Sequence, residues 1–266
     1  MKVEPRPLLV MHPDRDFRNR VRDAASRSYY FQDVPGWKAL RGSVEEAPPS
    51  SLVVVDPYRE SDDGLSPALR ALLADFPSTS VIVAVEVTPQ RIDDLRTLGE
   101  WGVTQVVSLR HDDTVAALTH RFRAARGGPL RALLAQVLPP ETSGRARGIL
   151  DVAAEVVASG GHGRDVAEQL GLSRRTLLRW CERAELPPPR TLMAWMRLLL
   201  AAEMLDDPGR TVLTVARTCG YSSDSGLRRV MTKFLGMSPG ALRKGGAFKA
   251  ASAEFVKVLA EFRTSE

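Results

Sequence analysis

The β-type apolar runs of this 266-residue chain all lie before residue 110, and from about residue 145 onward no stretch reads as a strand. The early runs are LLVM (8–11), YYFQDV (29–34), SLVVVD (51–56), SVIVAVEV (80–87) and VTQVVSL (103–109). Helix-like stretches separate them: DFRNRVRDAASR, GWKALRGSVEEA, SPALRALLADF and PQRIDDLRTLGEW, with DDTVAALTHRFRAAR after the last. Strand and helix alternating five times imply parallel strands joined by crossover helices. The near-continuous valine runs suit strands covered on both faces. Residues 1–126 therefore predict an α/β domain with a five-stranded parallel sheet.

A seam follows. GGP (127–129) and PPETSG (139–144) bracket a short helix candidate, LRALLAQVL, and such Gly, Pro and Ser clusters mark a boundary or hinge. The expectation is a linker with a short helix over 127–144, then an all-α region over 145–245, then one more helix over 246–266.

Net charge sharpens this division. Residues 1–126 hold 17 basic and 18 acidic side chains, whereas residues 162–246 hold 14 and 8. The whole basic surplus of the chain, formally +5, thus lies in the helical half, an electrostatic signature for phosphate-rich partners. A solvated charged face is the plain alternative. With only Cys181 and Cys219, no disulfide framework or four-ligand zinc site is indicated, and both thiols read as small buried hydrophobes. No run approaches the roughly 20 apolar residues of a membrane span, and no signal peptide is evident. A cytoplasmic location is the default expectation.

The helical half contains an internal repeat. GRDVAEQL is a short helix, followed by a Gly-containing turn and LSRRTLLRW. At 100° per residue Leu177, Trp180, Cys181 and Ala184 share one stripe, while Arg174, Arg175, Leu178 and Arg179 face away from it. Ser173 is placed to cap that second helix. The pattern returns in TVLTVARTCGYSSDSGLRRVMTKFLGMSP. Ala216 matches Ala167 at a distance of 49 residues, and Leu227 matches Leu177 at 50, so the second turn is one residue longer. Leu227, Val230, Met231 and Phe234 form the inner stripe; Ser225, Arg228, Arg229 and Thr232 point outward, with Ser222 read as the cap. Short helix, turn and second helix, twice in tandem, is helix-turn-helix punctuation.

These stretches resemble the AraC/XylS-type transcription regulators over roughly residues 145–245. The resemblance rests on VAEQLGLSRRTLLRW, on RLLLAAEML and most sharply on VARTCGYSSDSGLRRVMTKFLGMSP. It implies a bacterial-type DNA-binding domain of about seven helices, whose two recognition helices enter successive major grooves roughly 34 Å apart. The helix around 191–205 would be the spacer. By position, the resemblance implies DNA contacts from Ser173, Arg174, Arg175, Leu178 and Arg179 in the first unit. Ser223, Ser225, Gly226, Arg228, Arg229 and Thr232 are their counterparts in the second. Leu178 cannot donate or accept a hydrogen bond and Gly226 has no side chain, so direct readout is reduced at both. The implied partner is double-stranded DNA, with RNA polymerase and a second copy of the chain, joined through the N-terminal domain, as further candidates. The spacer is apolar nearly all round. Either it is covered by the N-terminal domain or a second subunit, or the DNA-binding domain has a thicker core of its own.

The first domain resembles a response-regulator receiver, also a flavodoxin-like architecture, and SLVVVDPY puts Asp56 at the phosphoacceptor position. Phosphoryl transfer there needs a divalent cation held by further carboxylates. In LLVMHPD, His12 and Pro13 stand in place of the acidic pair, with only Asp14 nearby; the expected hydroxyl falls near Val85 and the expected lysine near Leu109. The reading is a degenerate receiver serving dimerisation or signal input, with Asp56 a vestigial acceptor. A phosphorylation-driven regulator, or a small-ligand sensor using the sheet edge lined by His12, Asp14 and Asp56, are the alternatives. No Gly-rich phosphate loop or Ser/His/Asp set is found. No enzyme activity, catalytic residue, metal or cofactor is therefore expected.

Overall fold

The computed structural model describes residues 5–25, 29–125 and 128–263, with the backbone alone for residues 128 and 129. They divide into two compact units. Residues 5–125 together with Asp207–Arg210 form one; the rest of the chain from 128 onward forms the other.

The α/β unit is built from five strands: β1 (Arg6–Met11), β2 (Tyr29–Asp33), β3 (Leu52–Val55), β4 (Ser80–Val85) and β5 (Gln105–Ser108). All neighbours pair in parallel, in the order β2-β1-β3-β4-β5. Five helices connect or follow them: α1 (Arg15–Ala25), α2 (Trp37–Glu46), α3 (Pro67–Asp75), α4 (Ile92–Glu100) and α5 (Val115–Ala125). Alternate residues along a strand point to opposite faces. Leu9, Met11, Val53, Val55, Val83 and Val85 accordingly meet α2, α3 and α4 on one face. Leu8, Val10, Leu52, Val54, Ile82 and Ala84 meet α1 and α5 on the other. Both faces are covered over the central strands β1, β3 and β4, which are apolar at nearly every position, whereas the edge strands β2 and β5 also carry polar residues. The chain runs from β1 out to β2 and then returns past β1 to β3. The carboxyl ends of β1 and β3 therefore flank the point where the strand order reverses, the place where such sheets form a crevice.

The helical unit contains α6 (Gly128–Val137), α7 (Gly144–Ala158), α8 (Gly163–Gln169), α9 (Arg174–Arg183) and α10 (Pro189–Leu205). It continues with α11 (Val212–Thr218), α12 (Asp224–Leu235), α13 (Pro239–Gly245) and α14 (Ala247–Arg263). Seven of these, α7–α13, span the region in which about seven were expected. Leu130, Leu134 and Leu138 are buried in the same core as α7 and α10, so the stretch read as a linker carries core side chains of this unit.

The spacer α10 settles the question its composition raised. From Leu198 to Leu205 every residue is buried, and all but Glu203 share one apolar core with α6, α7, α8, α9, α11 and α14 of the same unit. The C-terminal helix α14 and α7 are the main parts of that cover. Trp195 sits between the rings of Phe234, at 5.0 Å edge-on, and Phe255, at 5.5 Å. Both ends of α14 are fixed. Asp206 accepts the backbone N–H groups of Ala247 (2.6 Å) and Phe248 (2.9 Å), two of the orphan donors of the helix start. At the other end Arg263 donates to Glu141 (2.9 Å) and Thr142 (3.1 Å).

Candidate nucleic-acid interface

Each helix-turn-helix unit is fixed by the same local devices. Leu170 ends α8 and Cys219 ends α11, and Gly171 and Gly220 follow with φ of 67° and 77°. This left-handed conformation is strained for residues with a Cβ, and it turns the chain sharply enough to start a second helix at once. Ser173 then accepts the N–H of Thr176 (3.1 Å), and Ser223 accepts that of Gly226 (3.1 Å). The cap of α12 is thus Ser223 and not Ser222. The two turns differ by one residue, and the longer turn after Gly220 places the cap one position later than the spacing of hydroxyls suggests. Both capping hydroxyls are engaged with their own backbone.

The inner stripes lie where expected. Leu177 and Cys181 pin α9 to the core and Leu227 and Met231 pin α12, all buried. Cys181 is enclosed, and burial pushes its thiol up to about 11, with Glu182 adding to the shift. That is the chemistry of an inert core residue rather than a nucleophile. Trp180 is half-buried and lies beneath the guanidinium of Arg145, 5.4 Å from its ring centre.

With those stripes fixed, Arg174, Arg175, Leu178 and Arg179 are exposed on α9, as are Ser225, Arg228, Arg229 and Thr232 on α12; Gly226 is half-buried. Their electrostatics differ. Among the described residues, ion pairs in the helical unit engage Arg164, Arg228, Lys257 and Arg263, and none of them involves Arg174, Arg175, Arg179 or Arg183. On α12, Arg228 lies 3.4 Å from Asp224 one turn earlier. An exposed pair of this kind contributes little to stability, but it sets a negative charge beside this arginine. The first helix therefore presents the stronger positive surface.

At the carboxyl edge of the sheet, the receiver-like residues are brought together but committed elsewhere. Asp14 caps α1, accepting the N–H groups of Asp16 (2.8 Å) and Phe17 (3.0 Å), and those bonds hold its carboxyl below the usual range. Asp56, half-buried, accepts the N–H of Tyr58 (3.0 Å) in a turn. His12 is buried, with its ring 4.6 Å from that of Phe17, and its Nδ1 accepts the N–H of Asp14 (3.2 Å). Val85 is buried and Leu109 packs against the core, which puts apolar groups where a hydroxyl and a lysine would stand. Among the described residues no group of three or more His, Cys, Asp or Glu side chains is arranged to hold a metal ion.

Burial lowers the pKa of His12 below its ordinary value, outweighing the opposing pull of Asp56 and Asp14. The unfolded chain therefore takes up a proton before the folded one as pH falls through about 6.5. The expected result is that the α/β unit loses stability from about pH 6.5 downward, until the folded-state pKa is passed. Urea unfolding at about pH 7.5 and about pH 5.5 measures this, and His12→Asn should reduce the difference. An unaltered pH difference in that variant would show that His12 does not contribute.

Two tandem helix-turn-helix units, each with a capped second helix and an exposed basic ridge, define a class: DNA-binding proteins of the double helix-turn-helix kind. Residues 166–245 match the family model described as a helix-turn-helix domain, and this segment of the chain is a helix-turn-helix DNA-binding domain of the AraC type. No curated protein matches the chain. Among solved structures it is similar to that of a xylose-binding transcription activator, XylR, at 13% identity and a TM-score of 0.38, covering 90% of this chain and 70% of that one. Among the described residues no helix is long and apolar enough to cross a membrane.

Proposed function

We propose that the protein is a sequence-specific transcription regulator that lays α9 and α12 into successive major grooves of one duplex. The observation that carries this reading is the arginine ridge of α9, without an ion-pair partner among the described residues, set outward by a buried stripe and repeated in outline 50 residues later. Arg174 and Arg175, beside the helix N-terminus, suit phosphate oxygens. Arg179, one turn further on, suits the O6 and N7 acceptors of guanine. Leu178 supplies an apolar contact for a thymine methyl group. On α12, Ser225, Arg229 and Thr232 are the outward groups, and the Asp224–Arg228 pair and Gly226 make this helix the weaker reader. Ser173 and Ser223 act through the caps they form. The 17 residues of α10 measure about 25 Å along the axis, a rigid spacer of the right order for grooves one turn apart.

In this reading the α/β unit is an input or dimerisation module that works without phosphoryl transfer. His12, Pro13, Val85 and Leu109 replace the groups such transfer needs, and Asp56 is a remnant. No catalytic role, metal or cofactor is assigned. A second copy of the chain and RNA polymerase are the protein partners the reading allows.

Selection of genomic DNA fragments by the purified full chain tests the proposal. A shared sequence should be enriched, and affinity for it should fall steeply with added salt, each neutralised phosphate contributing about 0.9 to the logarithmic slope. Recovery of fragments without a common sequence would overturn it.

A further inference from the structure

The start of α7 carries two arginines with different fates. Arg147 donates to the carbonyls of Thr142 (3.2 Å) and Pro139 (3.1 Å) and so secures the chain leading into the helix. Arg145 is exposed and has no ion-pair partner among the described residues. Its guanidinium carbon lies 5.4 Å from the ring centre of Trp180 on α9. Both helices belong to the helical unit, and Trp180 is half-buried at the edge of its core.

That contact fixes where the charge stands. Passing round α9 from Arg179, Arg183 comes about 40° on and Trp180 about 100° on, before the buried stripe of Leu177 and Cys181 is reached. Arg145 therefore carries the arginine ridge of α9 round to one flank, with exposed Arg183 in between. Glu182, the one acidic side chain of α9, lies on the other side of Arg179, about 60° away. Glu141 and Glu185, close by in sequence, pair with Arg263 instead. The flank is thus basic without compensation. Nor does the charge help the helix that bears it, because a cation at the second residue of α7 opposes the positive end of the helix. An exposed contact between a cation and a ring is itself weak. What the ring supplies is a fixed position, which leaves the N–H donors of the guanidinium for another acceptor.

We propose that Arg145, held on Trp180, and Arg183 form a phosphate clamp beside α9, through which α7 grips the DNA backbone. The proposal rests on the function given above and adds a contact from outside the two recognition helices. The major groove is about 12 Å wide, so a helix seated on the bases brings its flanks to the phosphates of the bordering strands. Contacts to phosphate fix register and orientation without reading sequence. A guanidinium already held in place loses less freedom on binding than one on a loose side chain. Trp180 thus has two roles, its inner edge in the core and its outer face the seat of the clamp.

Salt-dependent titration of the full chain tests this, on the selected sequence and on an unrelated duplex. Arg145→Ala should weaken binding to both alike, about three- to tenfold at about 0.1 M salt, and lower the logarithmic salt slope by about 0.9, the value of one phosphate. Arg145→Lys keeps the charge and should keep most of the slope. Trp180→Leu keeps an apolar side chain but removes the seat, so Arg145→Ala should cost less in that background than in the parent. Unaltered affinity and slope in Arg145→Ala would overturn the clamp. A lower urea midpoint with an unaltered slope would do the same, making the stacked pair a packing contact alone. Equal losses from Arg145→Ala in both backgrounds would overturn the part given to Trp180. Arg145 is exposed, so its two variants carry the test even where Trp180→Leu does not fold. Fragment selection on the parent reads a shared sequence, whereas the slope reads one phosphate, so the two proposals fail separately.

Discussion

Replacing Arg179 with alanine lowers affinity for the selected DNA sequence by more than tenfold. The side chain is exposed, has no ion-pair partner among the described residues, and stands on the outward face of α9, which buried Leu177 and Cys181 fix in rotation. A guanidinium that grips two acceptors of one base contributes roughly 1–3 kcal/mol of discrimination, and each 1.4 kcal/mol or so is a factor of ten. Arg179→Lys should recover only part of the loss, because an ammonium group has no planar fork. Affinity for unrelated DNA should change less than affinity for the selected sequence, since phosphate contacts carry no sequence information. Gel-shift titrations on both DNAs measure this. An unchanged dissociation constant on the selected sequence would remove Arg179 from the reading residues.

The largest stability effect falls on a residue far from that ridge. Phe255 on α14 is completely buried against Trp195, and Phe255→Ala should cost about 3–5 kcal/mol. That is a large share of the roughly 5–15 kcal/mol available to a domain. The helix bearing Phe255 covers the spacer and is fixed at both ends, so the cavity cannot close by a local shift. Urea unfolding followed by helical circular dichroism should show a lower midpoint for the helical unit, with DNA affinity reduced only as far as the unfolded form becomes populated. A loss below about 1 kcal/mol would mean that the surrounding core repacks freely, as tolerant sites do.

The two helix-turn-helix units were legible because their signals are local. Capping serines, turn glycines and apolar stripes all act within a few residues, and repetition made the pattern specific. The cap of α12 was misplaced by one residue for a related reason. Ser222 and Ser223 both carry a hydroxyl, and only the course of the longer turn selects between them. The sheet was legible from valine-rich runs, and its edge residues from their order. That His12 is enclosed and Asp14 spent on a helix cap followed from folding.

The sequence by itself determined the alternation that builds the sheet, the two helix-turn-helix units and the side of α9 on which the arginines lie. Each rests on periodicity and backbone geometry over short distances, which neighbouring residues control. Tertiary structure alone decided what covers the spacer helix and where DPGR goes. Asp207 meets Ser78 and Arg210 meets Glu45 across 129 and 165 residues of chain. Buried ion pairs and helix-end carbonyls find such partners only once the whole fold has brought them within reach.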